Sequence, residues 1–94
     1  MTNVEFQAKL QAMYAKHPII ALSKVKTLNE LLYVLRMEGD QDYCVSTNDG
    51  GCIPSVRETF VPTRDLAKKV TSIEWEEYTD DECDTYGAII VNLK

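Results

Sequence analysis

The sequence predicts an α+β fold, with N-terminal helices packed on one face of a small antiparallel β-sheet that ends in a C-terminal hairpin. Three observations predict it. Apolar residues recur at helical spacing from Phe6 to Met37. From Tyr43 onward the pattern changes to alternation and β-branched runs broken by Gly and Pro. The helices precede the strands, the order expected when helices are segregated to one face of an antiparallel sheet. With 94 residues, residues 1–94 form a single domain. Its 45% hydrophobic and 27% charged residues place the chain among ordinary globular proteins and exclude a disordered tail.

Residues 2–16 read as a helix. Thr2 and Glu5 have the spacing of a capping box, and Phe6, Leu10, Met13 and Tyr14 share one face. His17 precedes Pro18 and so avoids the helical region, which ends the element. Pro18 then opens a short second helix within residues 18–26, because proline suits a first helical position; a buried strand or apolar connector is the competing reading. Residues 28–38 give the clearest helix. Thr27 and Glu30 form a second capping box, and Leu28, Leu31, Leu32 and Leu35 recur at helical spacing. Val34 and Met37 widen that apolar face, and Gly39 is a natural stop.

Residues 43–56 read as a hairpin. Tyr43 to Ser46 is strand-like, Asp49-Gly50 supplies a two-residue turn with both residues at positive φ, and Cys52-Ile53 returns. That turn sets Cys44 opposite Ser55 and Cys52 opposite Thr47. Pro54 marks a strand end or an edge. Thr59 to Val61 extend a strand, and Pro62-Thr63 open a short helical stretch in which Leu66 and Val70 share a face.

The C-terminal hairpin organises the chain. Thr71 to Tyr78 alternates, with Ile73 and Trp75 on one side and Ser72, Glu74 and Glu76 on the other; Tyr86 to Leu93 is β-branched. Pairing Tyr78 with Tyr86 sets Trp75 against Ile89, Ile73 against Val91 and Thr71 against Leu93, so that Ile73, Trp75, Ile89, Val91 and Leu93 share a face. The opposite face then carries the acids together with Ala88 and Ile90.

Charge is concentrated in the same segment. Of the net −5, residues 74–94 hold seven acids against Lys94, whereas residues 1–73 hold eight acids and nine bases. Seven acids within eleven positions (Glu74, Glu76, Glu77, Asp80, Asp81, Glu82 and Asp84) repel one another, which a basic partner or full solvation relieves. Trp75, Tyr78 and Tyr86 lie among them as candidate anchors. The competing reading is a charged strand that simply deters edge-to-edge aggregation.

Other chemistry is weaker. Asp80, Asp81, Glu82 and Asp84 lack the alternation, central glycine and distal Glu of a calcium loop, so no metal is expected. Three cysteines without CxxC or Cys–His spacing imply neither zinc nor a disulfide framework. A cysteine-based enzyme or ligand-binding domain is the weakest reading: His17 is the one histidine, nothing sets it beside a thiol, and no catalytic residue or cofactor is expected. Direct nucleic-acid binding is disfavoured by the net charge and the lack of a basic stripe, since Lys68-Lys69 is too small a patch. Nothing basic and apolar opens the chain as a secretory leader, and no run is long enough to span a bilayer, so a cytoplasmic location is expected.

The sequence therefore predicts a small acidic, non-enzymatic binding protein that inhibits or regulates a basic partner, such as a nucleic-acid-binding protein or a nuclease. By analogy of charge and size this is the logic of DNA mimics. The contact residues are Glu74, Glu76, Glu77, Tyr78, Asp80, Asp81, Glu82 and Asp84. The alternative is a structural module that self-associates as a homodimer, or binds a partner, through apolar surface of residues 18–37 and through Ile90.

Overall fold

The computed structural model describes residues 1–23, 26–38, 42–58 and 66–94. It is α+β, with N-terminal helices and a four-stranded sheet. The elements are α1 (Asn3–Ala15), α2 (Pro18–Ala21), α3 (Leu28–Arg36), β1 (Val45–Thr47), β2 (Cys52–Ile53), β3 (Val70–Thr79) and β4 (Thr85–Leu93).

Capping fixes where two of the helices begin. The Thr2 hydroxyl accepts from the Glu5 amide at 3.1 Å and starts α1. At α3 the box is complete: Thr27 accepts from the Glu30 amide at 3.3 Å, and Glu30 accepts from the Thr27 amide at 3.0 Å. Pro18 occupies the first turn of α2, as expected. Phe6, Leu10, Met13 and Tyr14 of α1 and Leu28, Leu31, Leu32, Val34 and Leu35 of α3 are buried. Met37 departs from the expected face. It is the C-cap of α3, where the helix has ended, and it stands 59% exposed.

The sheet order is β2-β1-β4-β3. Both hairpins are antiparallel, but they join through a parallel pairing of β1 with β4, so the sheet is mixed. The registers set Ile53, Val45, Ile89 and Trp75 in one row across all four strands. That row faces the helices and closes the core. Burying each such aliphatic side chain is worth roughly 1.5–3 kcal/mol.

The C-terminal hairpin pairs as its sequence indicates: Tyr78 with Tyr86, Trp75 with Ile89, Ile73 with Val91. It departs at its start, where a one-residue irregularity leaves Thr71 out and pairs Val70 with Leu93. Strict alternation would send Val70 and Ile73 to opposite faces. The bulge lets both pack on the core. Val70 is thus the first residue of β3 and not part of a helix. The strand expected over 59–61 and the helix start at Pro62-Thr63 lie outside the described residues, as does Gly39.

The first hairpin also differs from expectation by one residue. Of its turn residues only Gly50 has positive φ, at 88°. Asp49 instead bends the chain by accepting from the Gly51 amide at 3.3 Å and from the Thr47 hydroxyl, which makes a three-residue loop closed by Thr47 N–H to Gly51 O at 2.9 Å. Cys52 therefore faces Ser46, and not Thr47. The Asp49 carboxylate also meets Lys68 at 2.8 Å, and this ammonium, with Thr47, holds its pKa at about 2.

Trp75 connects hairpin to helix. Its ring stacks on Phe6 at 5.2 Å between centroids and covers Gly87. A Cβ at Gly87 would lie 1.9 Å from Trp75 Cζ2. Glycine is therefore the residue that lets the ring reach α1.

The outer edge of β3 is also closed along much of its length. Val70 N–H donates to Lys26 O at 2.8 Å, and Leu28 N–H donates to Lys68 O at 2.9 Å. Further on, the Gln7 side chain donates to Ile73 O at 2.6 Å, and Trp75 N–H donates to Asn3 Oδ1 at 2.9 Å. Side chains of α1 thus occupy backbone groups that would otherwise template another strand.

Three outcomes follow from this architecture. Gly87→Ala forces the indole off its seat and costs about 1–3 kcal/mol in chemical denaturation, with a red-shifted tryptophan emission. Thr27→Ala removes the α3 cap and costs about 1 kcal/mol by the same measurement. Asp49 has a depressed pKa, so its contribution is full above the ordinary value of 3.8 and is lost as pH falls toward about 2. Asp49→Asn accordingly flattens the stability–pH curve over that interval, which acid titration followed by circular dichroism would detect.

Candidate functional site

Along β3 the even-numbered residues Ser72, Glu74, Glu76 and Tyr78 face away from the helices, because Ile73 and Trp75 face them. On β4 the matching residues are Tyr86, Ala88, Ile90 and Asn92. The β1–β4 and β1–β2 registers add Ser46 and Cys52 in line with Ile90, and Cys44 one step along β1. Among the described residues no helix lies on this face, and none of its strand residues is basic.

Two tyrosines dominate it. Tyr78 and Tyr86 sit directly opposite each other and are 49% and 54% exposed. Each phenol is tied to a carboxylate: Tyr78 donates to Glu76 Oε2 at 2.5 Å, and Tyr86 donates to Asp80 Oδ2 at 2.9 Å. The bond to Glu76 is the main reason that the Tyr78 phenol is held above its usual pKa, and Cys44 across the sheet adds to it. Ala88, on the same face, is buried.

The tip of the hairpin is built by Asp80. One carboxylate oxygen accepts from the Glu82 and Asp84 amides, both at 2.9 Å, and the other accepts from Tyr86. These donors, the Asp84 amide foremost, hold the Asp80 carboxyl below the usual range. Cys83 takes positive φ at 65° within the turn. Asp81, Glu82 and Asp84 are left exposed around it. Ligand oxygens of Asp80, Glu82 and Asp84 lie within 4.8 Å of one another. Three donors already occupy the Asp80 carboxylate, so the grouping is accounted for as the turn's own hydrogen bonding.

The eight acid and tyrosine positions singled out in the sequence therefore do different work. Glu74, Glu76 and Tyr78 lie on the open sheet face, and Asp81, Glu82 and Asp84 on the tip. Asp80 organises the turn. Glu77 points the other way, toward the helices. Its carboxylate receives the Met1 ammonium and the Trp75 indole N–H, the latter at 3.2 Å, and these bonds lower its pKa. Tyr86 belongs with the site although it was not among the eight. Its place opposite Tyr78 follows from the hairpin register alone.

Of the remaining reactive groups, Cys44 and Cys52 are neighbours across the first hairpin. The three cysteines are free. Burial pushes the Cys44 thiol up, with a smaller contribution from neighbouring Cys52, opposite to the depression an activated nucleophile needs. His17 packs edge-on against Tyr33 at 5.4 Å. A shallow groove of about 210 Å³ between α1 and the start of β3 is lined by Gln7, Leu10, Gln11, Tyr14, Lys26 and residues 70–73, with no carboxylate, histidine or cysteine. Among the described residues no helix is long and apolar enough to cross a membrane. Comparison of the chain with known protein families, curated proteins and solved structures returns no match.

Proposed function

We propose that this chain is a small non-enzymatic protein of the cytosol that binds a basic protein partner through its acidic C-terminal hairpin and thereby inhibits or regulates it. The supporting observation is one continuous surface, running from Glu74 and Glu76 over the tyrosine pair to Asp81, Glu82 and Asp84, with no basic strand residue along it. Binding there relieves the mutual repulsion of the acids and gives fast, salt-sensitive association. Carboxylates at such spacing suit a protein surface that otherwise holds phosphates, so a nucleic-acid-binding protein or a nuclease is the expected class of partner.

A second reading rests on the helical half. Ile19 and Leu22 of the α2 turn are 89% and 84% exposed, and Met37 adds to the uncovered apolar surface. Contact through these side chains, between copies or with another protein, is apolar and insensitive to salt.

Capture from host lysate on the tagged protein at ~50 mM and ~500 mM salt separates the two, because exposed charges are screened over that range. The acidic reading expects a basic protein held at low salt and released at high salt. The combined variant Glu74→Lys, Glu76→Lys, Asp81→Lys and Glu82→Lys is expected to weaken that complex by more than about tenfold with the fold intact by circular dichroism. Unchanged binding by the folded variant would falsify the proposal. A complex that survives high salt and is lost on Ile19→Ser with Leu22→Ser supports the apolar reading.

A further inference from the structure

We propose that the open face of the β3–β4 hairpin recognises arginine: a partner segment lays guanidinium groups over the Tyr78 and Tyr86 rings while pairing with Glu74 and Glu76. The inference rests on the reading above and names the chemistry of the partner.

Four observations support it. The first concerns the mode of binding. The outer edge of β3 is occupied from Val70 to Trp75 by Lys26 O, Gln7 and Asn3, so an added strand has no free ladder over that stretch. The face carries no such restriction. The second is the tyrosine pair itself. Two aromatic rings, each about half exposed, rise from directly opposed positions on a sheet face with no covering layer among the described residues, and each offers a π face of its own, one anchored toward Glu76 and the other toward Asp80. Rings held by hydrogen bonds to Glu76 and Asp80 lose little further freedom when a ligand stacks on them, which favours affinity.

The third is charge complementarity. Glu74 and Glu76 are exposed, Glu76 touching the Tyr78 phenol and Glu74 next along the same face, and among the described residues neither meets a cation. The fourth is the match of shapes. A guanidinium is planar, weakly hydrated and forked, so it stacks on a ring and still presents two N–H groups to a carboxylate at the ring's margin. A lysine ammonium is a compact, strongly hydrated point charge that gains the carboxylate but little of the stack. Carboxylates alone attract both cations; carboxylates beside tethered rings prefer arginine.

The test uses arginine and lysine homopeptides of equal length, titrated against the whole chain at low salt and read by fluorescence anisotropy. The expected result is binding of both, with the arginine peptide about tenfold tighter. Tyr78→Leu with Tyr86→Leu is expected to abolish the preference, weakening the arginine peptide about tenfold and the lysine peptide far less. Tyr78→Phe with Tyr86→Phe, which keeps the rings, is expected to preserve most of the preference. Circular dichroism confirms that each variant is folded. Equal affinity for the two peptides overturns the inference while the acidic-surface reading stands, and so does a preference that survives loss of both rings. Binding of neither peptide overturns both.

Discussion

The contact on which the rest of this structure depends is the stack of Trp75 on Phe6 over Gly87. It decides which face of the C-terminal hairpin meets the helices. Once the indole is seated against α1, the period of two along β3 carries Ile73 inward and Glu74, Glu76 and Tyr78 outward. Glycine at 87 is a requirement of that seat, since any side chain would occupy the volume of the ring. Polar groups around the stack reinforce it. Asn3 accepts from the Trp75 amide, Gln7 donates to the Ile73 carbonyl two positions before it, and Glu77 takes the indole N–H. The first helix therefore both buries the hairpin and seals its edge.

That arrangement divides the acids into two populations. Glu77 and Asp80 satisfy donors of the protein itself, and their lowered pKa values reflect those bonds. Among the described residues Glu74, Asp81, Glu82 and Asp84 have no such obligation, and Glu76 is bound only by a phenol. A surface that leaves most of its like charges uncompensated, beside half-exposed tyrosines, resembles the rim and anchors of an interface. The structural acids fix its shape, and the uncommitted ones give it its field.

Much of the fold was legible from residue order. The leucine spacing of 28–35, the two T-x-x-E caps and the alternation of 72–76 are local signals, and each gave the right element; for the last hairpin they also gave the register. What was not legible depended on longer-range terms. The parallel join of β1 to β4 has no local signal, because Val45, Ile53 and Ile89 come from distant stretches. The three-residue loop at Asn48-Asp49-Gly50 replaced the expected two-residue turn because Asp49 bonds Gly51 and reaches Lys68, nineteen positions on. The bulge at Thr71 answers to the burial of Val70. Of the candidate site, the acids were evident from composition, but sorting Glu77 from Glu76 needed the register and the position of the N-terminus. The pairing of Tyr86 with Tyr78 follows from the sequence register and holds in the structure, but the contact set drawn from the sequence takes in Tyr78 and leaves out Tyr86, because that set rests on charge and not on the face the two rings share.

The parallel pairing of β1 with β4 bears on how the chain acquires its structure. β4 lies between β1 and β3, yet it comes after all the other strands in the chain. The strand that stitches the two hairpins together is therefore synthesised after the three that it joins. Until it arrives, Val45 and Ile53 have no Ile89 to cover them, and the first hairpin is two short strands with an open apolar row. Such a sheet assembles through contacts of long sequence separation, which are slow to form because loop closure precedes their reward. Closure of the sheet is thereby coupled to the synthesis of β4, with the helices able to form early and the sheet obliged to wait.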